Sequence, residues 1–333
     1  MAETKYDVLG IGNAIVDVIA RTEDDFLVKQ DMRKGGMALV DEPRAQSIYK
    51  AMGPGIESSG GSAANTIVGI ASFGARTAFV GKVKDDPLGR VFAHDIRAAG
   101  VAFDTPPAKD GPSTACCYVL VTPDGERTMN TYLGAAQHLH PRDIDPVQIG
   151  SASITYLEGY LWDPKDAKDA FVKAAKAAHD AGRRVALTLS DAFCVDRFRD
   201  EFLNLIRNGT VDILFANEAE LKSLYQTSDF TAASGALRND AKLAVVTRSE
   251  KGCVVVTPGG MTAVPAAKID KLVDTTGAGD LFAAGFLFAL SRSASHDTCG
   301  RFGALAAAEV IQHIGARPAV SLKALAAERG LKA

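Results

Sequence analysis

The 333-residue chain has one tryptophan and only five cysteines. Cys116, Cys117, Cys194, Cys253 and Cys299 are odd in number and form no C-x-x-C pair. That spacing speaks against a disulfide framework or a zinc site, so reduced thiols in the cytoplasm are expected. Cys116 and Cys117 are adjacent; on a strand they face opposite sides, which lets only one of them into the core. No charge-free apolar run approaches the roughly 18 residues of a membrane span. Glu3, Asp7 and Asp17 interrupt the first apolar stretch, and a basic start is lacking, unlike a secretory signal. Charge of one sign is not in excess either: 37 basic against 40 acidic side chains leave a net of −3. A nucleic-acid partner held by a basic surface is therefore not expected. The glycines follow no three-residue period, which excludes collagen, and no G-x-x-x-x-G-K-[ST] is present, so any phosphate site is not a P-loop. Hydrophobic residues at 47 % and charged residues at 23 % are the balance of a folded globular chain, rich enough in apolar surface to offset ordering entropy.

Short β-rich runs alternate with helical ones. Strands are predicted at Asp7–Gly12, Thr77–Gly81, Ser153–Leu157, Arg184–Leu189, Val211–Phe215, Leu243–Thr247 and Cys253–Thr257. Helices are predicted at Ala63–Phe73, Gly89–Ala99, Pro164–Ala181, Arg197–Arg207, Glu218–Tyr225, Ala278–Ser291, Cys299–His313 and Ser321–Ala327. Apolar runs such as ALTL, DILF and AVVT point to a doubly wound, mostly parallel sheet with helices on both faces. Two further strands, Ala115–Thr122 and Arg127–Tyr132, flank the turn Pro123–Glu126, and Asn13–Asp41 lacks a helix-length apolar stripe. These segments are expected to form a small antiparallel sheet standing apart, with the glycine-rich Gly53–Gly61 as its hinge. The expected division is a lid from about 13–41 and 105–134 set in a larger unit of 1–12, 42–104 and 135–333.

Four motifs carry chemistry. In Asp274-Thr275-Thr276-Gly277-Ala278-Gly279-Asp280, paired glycines open an apolar helix. Unshielded N–H groups at a helix start form an anion site, and Asp280 sets a carboxylate beside it. That pairing suits orientation and deprotonation of a hydroxyl during phosphoryl transfer, although a carboxylate there also complements the helix dipole. Gly60-Gly61-Ser62-Ala63-Ala64-Asn65 lets backbone approach a ligand and presents the Asn65 amide, or is a loop with a Ser62 cap. Asn217-Glu218-Ala219-Glu220 puts an amide and a carboxylate on one helix face, fit either for hydrated Mg²⁺ or for a simple cap with a solvated Glu220. Thr247–Gly252 joins two strands and can wrap phosphates. Gly10-Ile11-Gly12-Asn13-Ala14-Ile15 begins like a dinucleotide fingerprint but has Ile15 where the third glycine belongs. His138-Leu139-His140 has nothing nearby to complete a metal set.

Together these motifs resemble the ribokinase-like (PfkB) family of carbohydrate and nucleoside kinases. Gly60–Gly89 resembles the family's first signature, Asp274–Asp280 its second, and Asn217–Glu220 its magnesium motif. Gly10–Asp17, Leu189–Phe202 and Arg127–Asn130 resemble the adenosine kinases within it. The resemblance implies phosphorylation of the adenosine 5′-hydroxyl by ATP with Mg²⁺, in purine salvage. Asp280 is implied as base, and the Gly277, Ala278 and Gly279 amides as anion hole. Asn13, Asp17, Gly60, Gly61, Asn65 and Arg127 would meet the acceptor, with Tyr160 or Trp162 stacking on its base. Asn217, Glu220, Thr247, Gly252, Thr276 and Gly279 would serve ATP. Asn217 and Glu220 would hold Mg²⁺ through water, and Asp274, Thr276 and Gly315 a monovalent cation such as K⁺. Thr276 stands where many adenosine kinases have Asn, and Ser249 where many sugar kinases have Gly.

Other readings keep the scaffold. A kinase of ribose, fructose, 2-keto-3-deoxygluconate, inosine or guanosine changes only the acceptor; a non-catalytic nucleoside- or sugar-binding regulator would need neither Asp280 nor the anion hole. Partners are thus small molecules, with no nucleic acid and no membrane, and both monomer and homodimer are open.

Overall fold

Residues whose side chains alternate between two apolar layers build the main sheet. The computed structural model describes residues 4–333; Glu3 and the start of the expected larger unit lie outside the described residues. In chain order the strands are β1 (Tyr6–Ile11), β2 (Ile15–Arg21), β3 (Met37–Leu39), β4 (Ile56–Gly60), β5 (Thr77–Val80), β6 (Val101–Ala102), β7 (Ala115–Val121), β8 (Arg127–Tyr132), β9 (Ala152–Glu158), β10 (Arg184–Thr188), β11 (Ile213–Asn217), β12 (Leu243–Thr247), β13 (Cys253–Thr257) and β14 (Gly260–Val264). The larger sheet has the order β14-β13-β12-β11-β10-β9-β1-β5-β6. It is parallel from β12 through β6, and β13 and β14 add antiparallel at one edge. The doubly wound α/β fold class read from the sequence is the one observed.

Period-2 alternation sorts the core. Val8, Ile154, Tyr156, Ala186, Ile213, Phe215 and Val245 face one layer, packed by the helices Ser62–Ser72, Ala278–Ser291 and His296–Val310. Leu9, Ile11, Leu157, Val185, Leu187, Leu214 and Val246 face the other, with the helices Lys165–Asp180 and Ala192–Arg207. β1 is flanked by β5 and β9, so the chain leaves β1 to one side and later resumes on the other. Such a switch point opens a crevice at the carboxyl ends of the two strands.

The second sheet, of order β3-β8-β7-β2-β4, departs from the expected one in two ways. It is mixed: β2 runs parallel to β7 and β3 parallel to β8, while β7 and β8 pair antiparallel. It also takes in Ile56–Gly60, which lies in the stretch assigned to the larger unit and pairs antiparallel with β2. Cys116 and Cys117 face opposite sides of β7, as expected, and both are buried, although only Cys116 enters the apolar core. Cys116 joins the apolar core, while Cys117 faces the crevice, so both faces of this sheet are covered. The helix expected at Arg197 begins at Ala192, capped by Asp191, and loses helical geometry at Phe198. No helix of the described residues is long and apolar enough to cross a membrane.

Candidate active site

The crevice is stitched shut at its base by Glu158, the last residue of β9. Its carboxylate accepts from Asn13 N (3.2 Å) and Asn13 Nδ2 (2.6 Å), just past β1, and from Ala63 N (2.8 Å) at the start of the next helix. Full burial pushes its pKa up to about 7, against the lowering effect of those N–H donors. Gly61 precedes that helix with φ +98°, and a Cβ there would sit 2.3 Å from the Asn13 carbonyl oxygen. Only glycine lets the chain turn here against Asn13.

Ser62 and Asn65, on the first turn of this helix, meet Asp280 on the first turn of Ala278–Ser291. Ser62 Oγ donates to Asp280 Oδ1 (2.6 Å) and Asn65 Nδ2 to Oδ2 (3.2 Å). Two motifs 215 and more positions apart thus converge on one carboxylate. Burial raises the Asp280 pKa to about 6, with both hydrogen bonds opposing. Gly277, at φ +78°, caps the helix without a side chain; the Ala278 amide donates to the Thr275 carbonyl (3.2 Å), while Gly277 and Gly279 line the cavity. An anion-binding helix start beside a carboxylate that already accepts an alcohol hydrogen bond can stabilise a transferring phosphoryl group and orient a hydroxyl.

The second sheet covers this floor with one face. Ile15, Asp17 and Ile19 alternate along β2; Cys117 and Val119 stand beside them on β7; Arg127, Met129 and Thr131 follow on β8; Met37 and Leu39 complete the face on β3. The wall is apolar except for Asp17, Arg127 and Thr131. Among the described residues none donates a hydrogen bond to Asp17, and burial lifts its pKa to about 6 although Arg317 and Arg127 pull it down. Gly60 lies directly beneath: a Cβ there would meet the Asp17 carboxylate at 2.3 Å.

Arg127 reaches from this sheet to the Asp274–Asp280 loop. Its Nη1 donates to Asp274 Oδ2 (2.6 Å) and Thr276 Oγ1 (3.0 Å), and its Nε and Nη2 are buried without partners among the described residues. Asp274 also accepts from Thr276 N (3.0 Å), Thr276 Oγ1 (2.7 Å) and Gly315 N (3.1 Å). The residues suggested for a monovalent cation therefore surround Asp274 with N–H and O–H donors and a guanidinium. So arranged, the Asp274 carboxylate is taken up by donors and does not itself fit as a direct ligand of a bare metal ion, which needs oxygen lone pairs.

At the other end of the cavity, Asn217 and Glu220 form a reciprocal capping box. Asn217 N donates to Glu220 Oε2 (2.9 Å), Asn217 Nδ2 to Oε1 (2.5 Å), and Glu220 N to Asn217 Oδ1 (2.8 Å). Glu220 is buried rather than solvated, and burial raises its pKa to about 7. Both side chains line the cavity, and their remaining lone pairs fit water-mediated better than direct contact with Mg²⁺. Thr247 lines the same region, whereas Gly252, at φ +82°, is buried in the adjoining turn against Val264. Tyr160 lines the cavity, its hydroxyl donating to the Ser190 carbonyl (3.2 Å). Trp162 is turned away into the core, donating to Glu201, so it offers no stacking surface. Phe193, two-thirds exposed, lies at the mouth instead.

One cavity of about 760 Å³ is thus lined by Asn13, Asp17, Gly61, Asn65, Arg127 and Tyr160, and also by Asn217, Glu220, Thr247 and Gly315. Thr276 through Asp280 complete it; Gly60, Asp274 and Gly252 lie behind its surface. Sequence reasoning missed Glu158, Phe193 and Arg317, and offered Ser62 only as the helix cap, a position that Gly61 holds. A lone acidic residue ending the apolar run ITYLE was the one available sign of Glu158.

Comparison with known proteins agrees with this geometry. The model of the pfkB family carbohydrate kinases matches residues 55–323. Adenosine kinase from Sinorhizobium meliloti is 54 % identical in its solved structure, with a TM-score of 0.91 over 98 % of this chain and 99 % of that one. A probable sugar kinase from Rhizobium etli CFN 42 is 50 % identical, with a TM-score of 0.92 over 99 % and 100 %. Probable fructokinase-6, chloroplastic, of Arabidopsis thaliana is 31 % identical over 302 residues, 88 % of this chain and 72 % of that protein. The fold, the two glycine-opened helices meeting at Asp280 and these likenesses have one reading: the chain belongs to the pfkB family of carbohydrate kinases.

Proposed function

We propose that the protein transfers the γ-phosphoryl group of ATP to the 5′-hydroxyl of adenosine, giving AMP and ADP. The observation that carries the choice of acceptor is the cavity-facing wall of the second sheet. It offers one carboxylate, Asp17, unpartnered among the described residues, in an otherwise largely apolar surface of Ile19, Val119, Met129, Met37 and Leu39. A nucleoside has a diol on one edge and a flat apolar base beyond it; a free sugar carries hydroxyls all round and would leave that wall facing polar groups. Asp17 accepts from the 2′- and 3′-hydroxyls, charge strengthening each bond, with Asn65 and the Gly61 backbone beside them. Tyr160 and Phe193 give the base aromatic surface. The identity to an adenosine kinase supports the same acceptor.

Asp280 orients the 5′-hydroxyl, exchanging its Ser62 bond for the substrate's, and takes the proton. A loose transition state asks little of a base until late, so orientation is its larger contribution. The amides of Gly277 and Gly279, and that of Ala278 once it leaves the Thr275 carbonyl, receive the charge of the transferring group, and Arg127 turns its Nε and Nη2, which have no partners among the described residues, to the phosphates. Thr247 and Thr276 border the nucleotide. Asn217 and Glu220 would hold Mg²⁺ through water, which when bound neutralises phosphate charge. The second sheet acts as a lid that keeps water from the reacting atoms.

The test is ADP release by coupled assay with Mg-ATP and, in turn, adenosine, inosine, ribose, fructose and 2-keto-3-deoxygluconate. Adenosine should be preferred at equal concentration, and Asp280→Asn should lower kcat by at least about 100-fold while the protein stays folded. Turnover of a sugar with silence on adenosine refutes the acceptor; near-normal turnover by the folded variant refutes Asp280.

A further inference from the structure

Arg317 lies in the loop after the helix His296–Val310 and lines the cavity, though no motif marks it. Its Nε donates to Asn65 Oδ1 (3.3 Å), and its Nη1 to Asp95 Oδ2 (3.2 Å), while Nη2 is buried with no partner among the described residues. Asp95 is itself anchored, accepting from Ser59 N (2.7 Å) and Ser59 Oγ at the end of β4. Asn65 is a buried amide with two unlike ends. In the arrangement seen, its oxygen faces a guanidinium and its NH₂ faces the Asp280 carboxylate. Rotated by half a turn, it would set oxygen against carboxylate and NH₂ against guanidinium, both repulsive. An amide alone holds such a choice weakly; a cation on one side and an anion on the other hold it firmly.

We propose that Arg317 is a positioning residue that locks the Asn65 amide, and through it Asp280, in the orientation that receives the acceptor hydroxyl. The inference rests on the kinase reading above. Arg317 touches neither the hydroxyl nor the phosphoryl group in this role; it acts through Asn65. Its second anchor, Asp95, ties the same unit to Ser59, so the base is oriented from the point where β4 enters the Asn65 helix.

The experiment is a double-mutant cycle between Arg317→Met and Asn65→Ala, measured as kcat and KM on whichever acceptor the wild type turns over. Arg317→Met alone should lower kcat by about 10-fold or more, with the KM for ATP unchanged within about twofold. In the Asn65→Ala background the same change should cost less than about twofold. Added guanidinium should restore part of the kcat of Arg317→Ala and none in the Asn65→Ala background. Additive losses, a wild-type kcat in Arg317→Met or a wild-type kcat in Asn65→Ala each overturn the proposal. Should Arg317→Met not fold, Arg317→Lys, which keeps the charge but not the fork, enters the same cycle with the same criterion. If adenosine is idle but a sugar reacts, the acceptor reading fails and the cycle on that sugar still decides the role of Arg317.

Discussion

Asp17 sits in the cavity without a hydrogen-bond donor among the described residues, and its pKa is raised from 3.8 to about 6, first by burial. Between those values the folded protein binds more protons than the unfolded one, so this group's contribution to stability is fully present below about pH 4 and is lost as pH rises through 6. Asp17→Asn removes that burden. Its Tm at pH 8 should exceed the wild type's by about 2 °C, with the gap closed at pH 4, while the KM for the acceptor rises at least about 10-fold. Scanning fluorimetry at both pH values and the coupled assay read the two effects; an equal or lower Tm at pH 8 defeats the burial account. At this scale Asp280 and Asn65 could be read from the sequence because glycines precede each of them, whereas Asp17, inside β2, was marked by the resemblance of Gly10–Asp17 alone. Glu158 and Arg317 could not. Their partners lie 145 and 252 positions away, and a single charged residue among apolar ones says nothing about which distant N–H or amide it will meet.

The element that matters most is the entry into the Ser62–Ser72 helix. Gly61→Ala would force a Cβ against the Asn13 carbonyl at a backbone angle that L-residues avoid, costing about 1–3 kcal/mol. A lowered Tm together with a raised acceptor KM should result, because Asn13 and the helix start share this contact. Gly279→Ala is the contrasting case. Its Cβ meets nothing within 4 Å, and Ala is the better helix former, so Tm should hold or rise while the crowded anion site loses turnover. A melt of both variants decides it; equal stability of the two would mean the turn at Gly61 is not constrained as described. The strands of the main sheet were readable since buried β-branched runs have one ready interpretation. β4 was not: Ile56–Gly60 reads IESSG, with its first two residues exposed. β14 is an exposed edge, and the helix Phe230–Asp240 carries only a weak apolar stripe, so neither gives the periodicity that marks its neighbours.

Across the molecule, the second sheet meets the main body through Arg127 and Asp274, a pair almost wholly shielded from water. If phosphates draw Arg127 away as the lid engages substrate, protection from hydrogen exchange should rise in β4 and β8 when adenosine and a non-hydrolysable ATP analogue are added together. The central strands β9 to β11 should change little. Exchange that slows equally everywhere, or not at all in β4 and β8, argues against lid closure. The doubly wound layout was evident from alternating elements, whereas the mixed pairing of the second sheet was not, because its parallel pairs join strands far apart in the chain and no turn between them sets their direction. The cavity itself draws side chains from residue 13 to residue 317. No fragment holds enough of it to bind, so ligands distinguish the native chain from every partly folded form. By mass action, a ligand at 100 times its Kd then adds about 2.7 kcal/mol to the stability of the entire chain, including strands it never touches. Substrate supply thereby becomes a determinant of how much of this protein persists folded, and a weakening substitution far from the cavity is masked when substrate is plentiful and exposed when it is scarce.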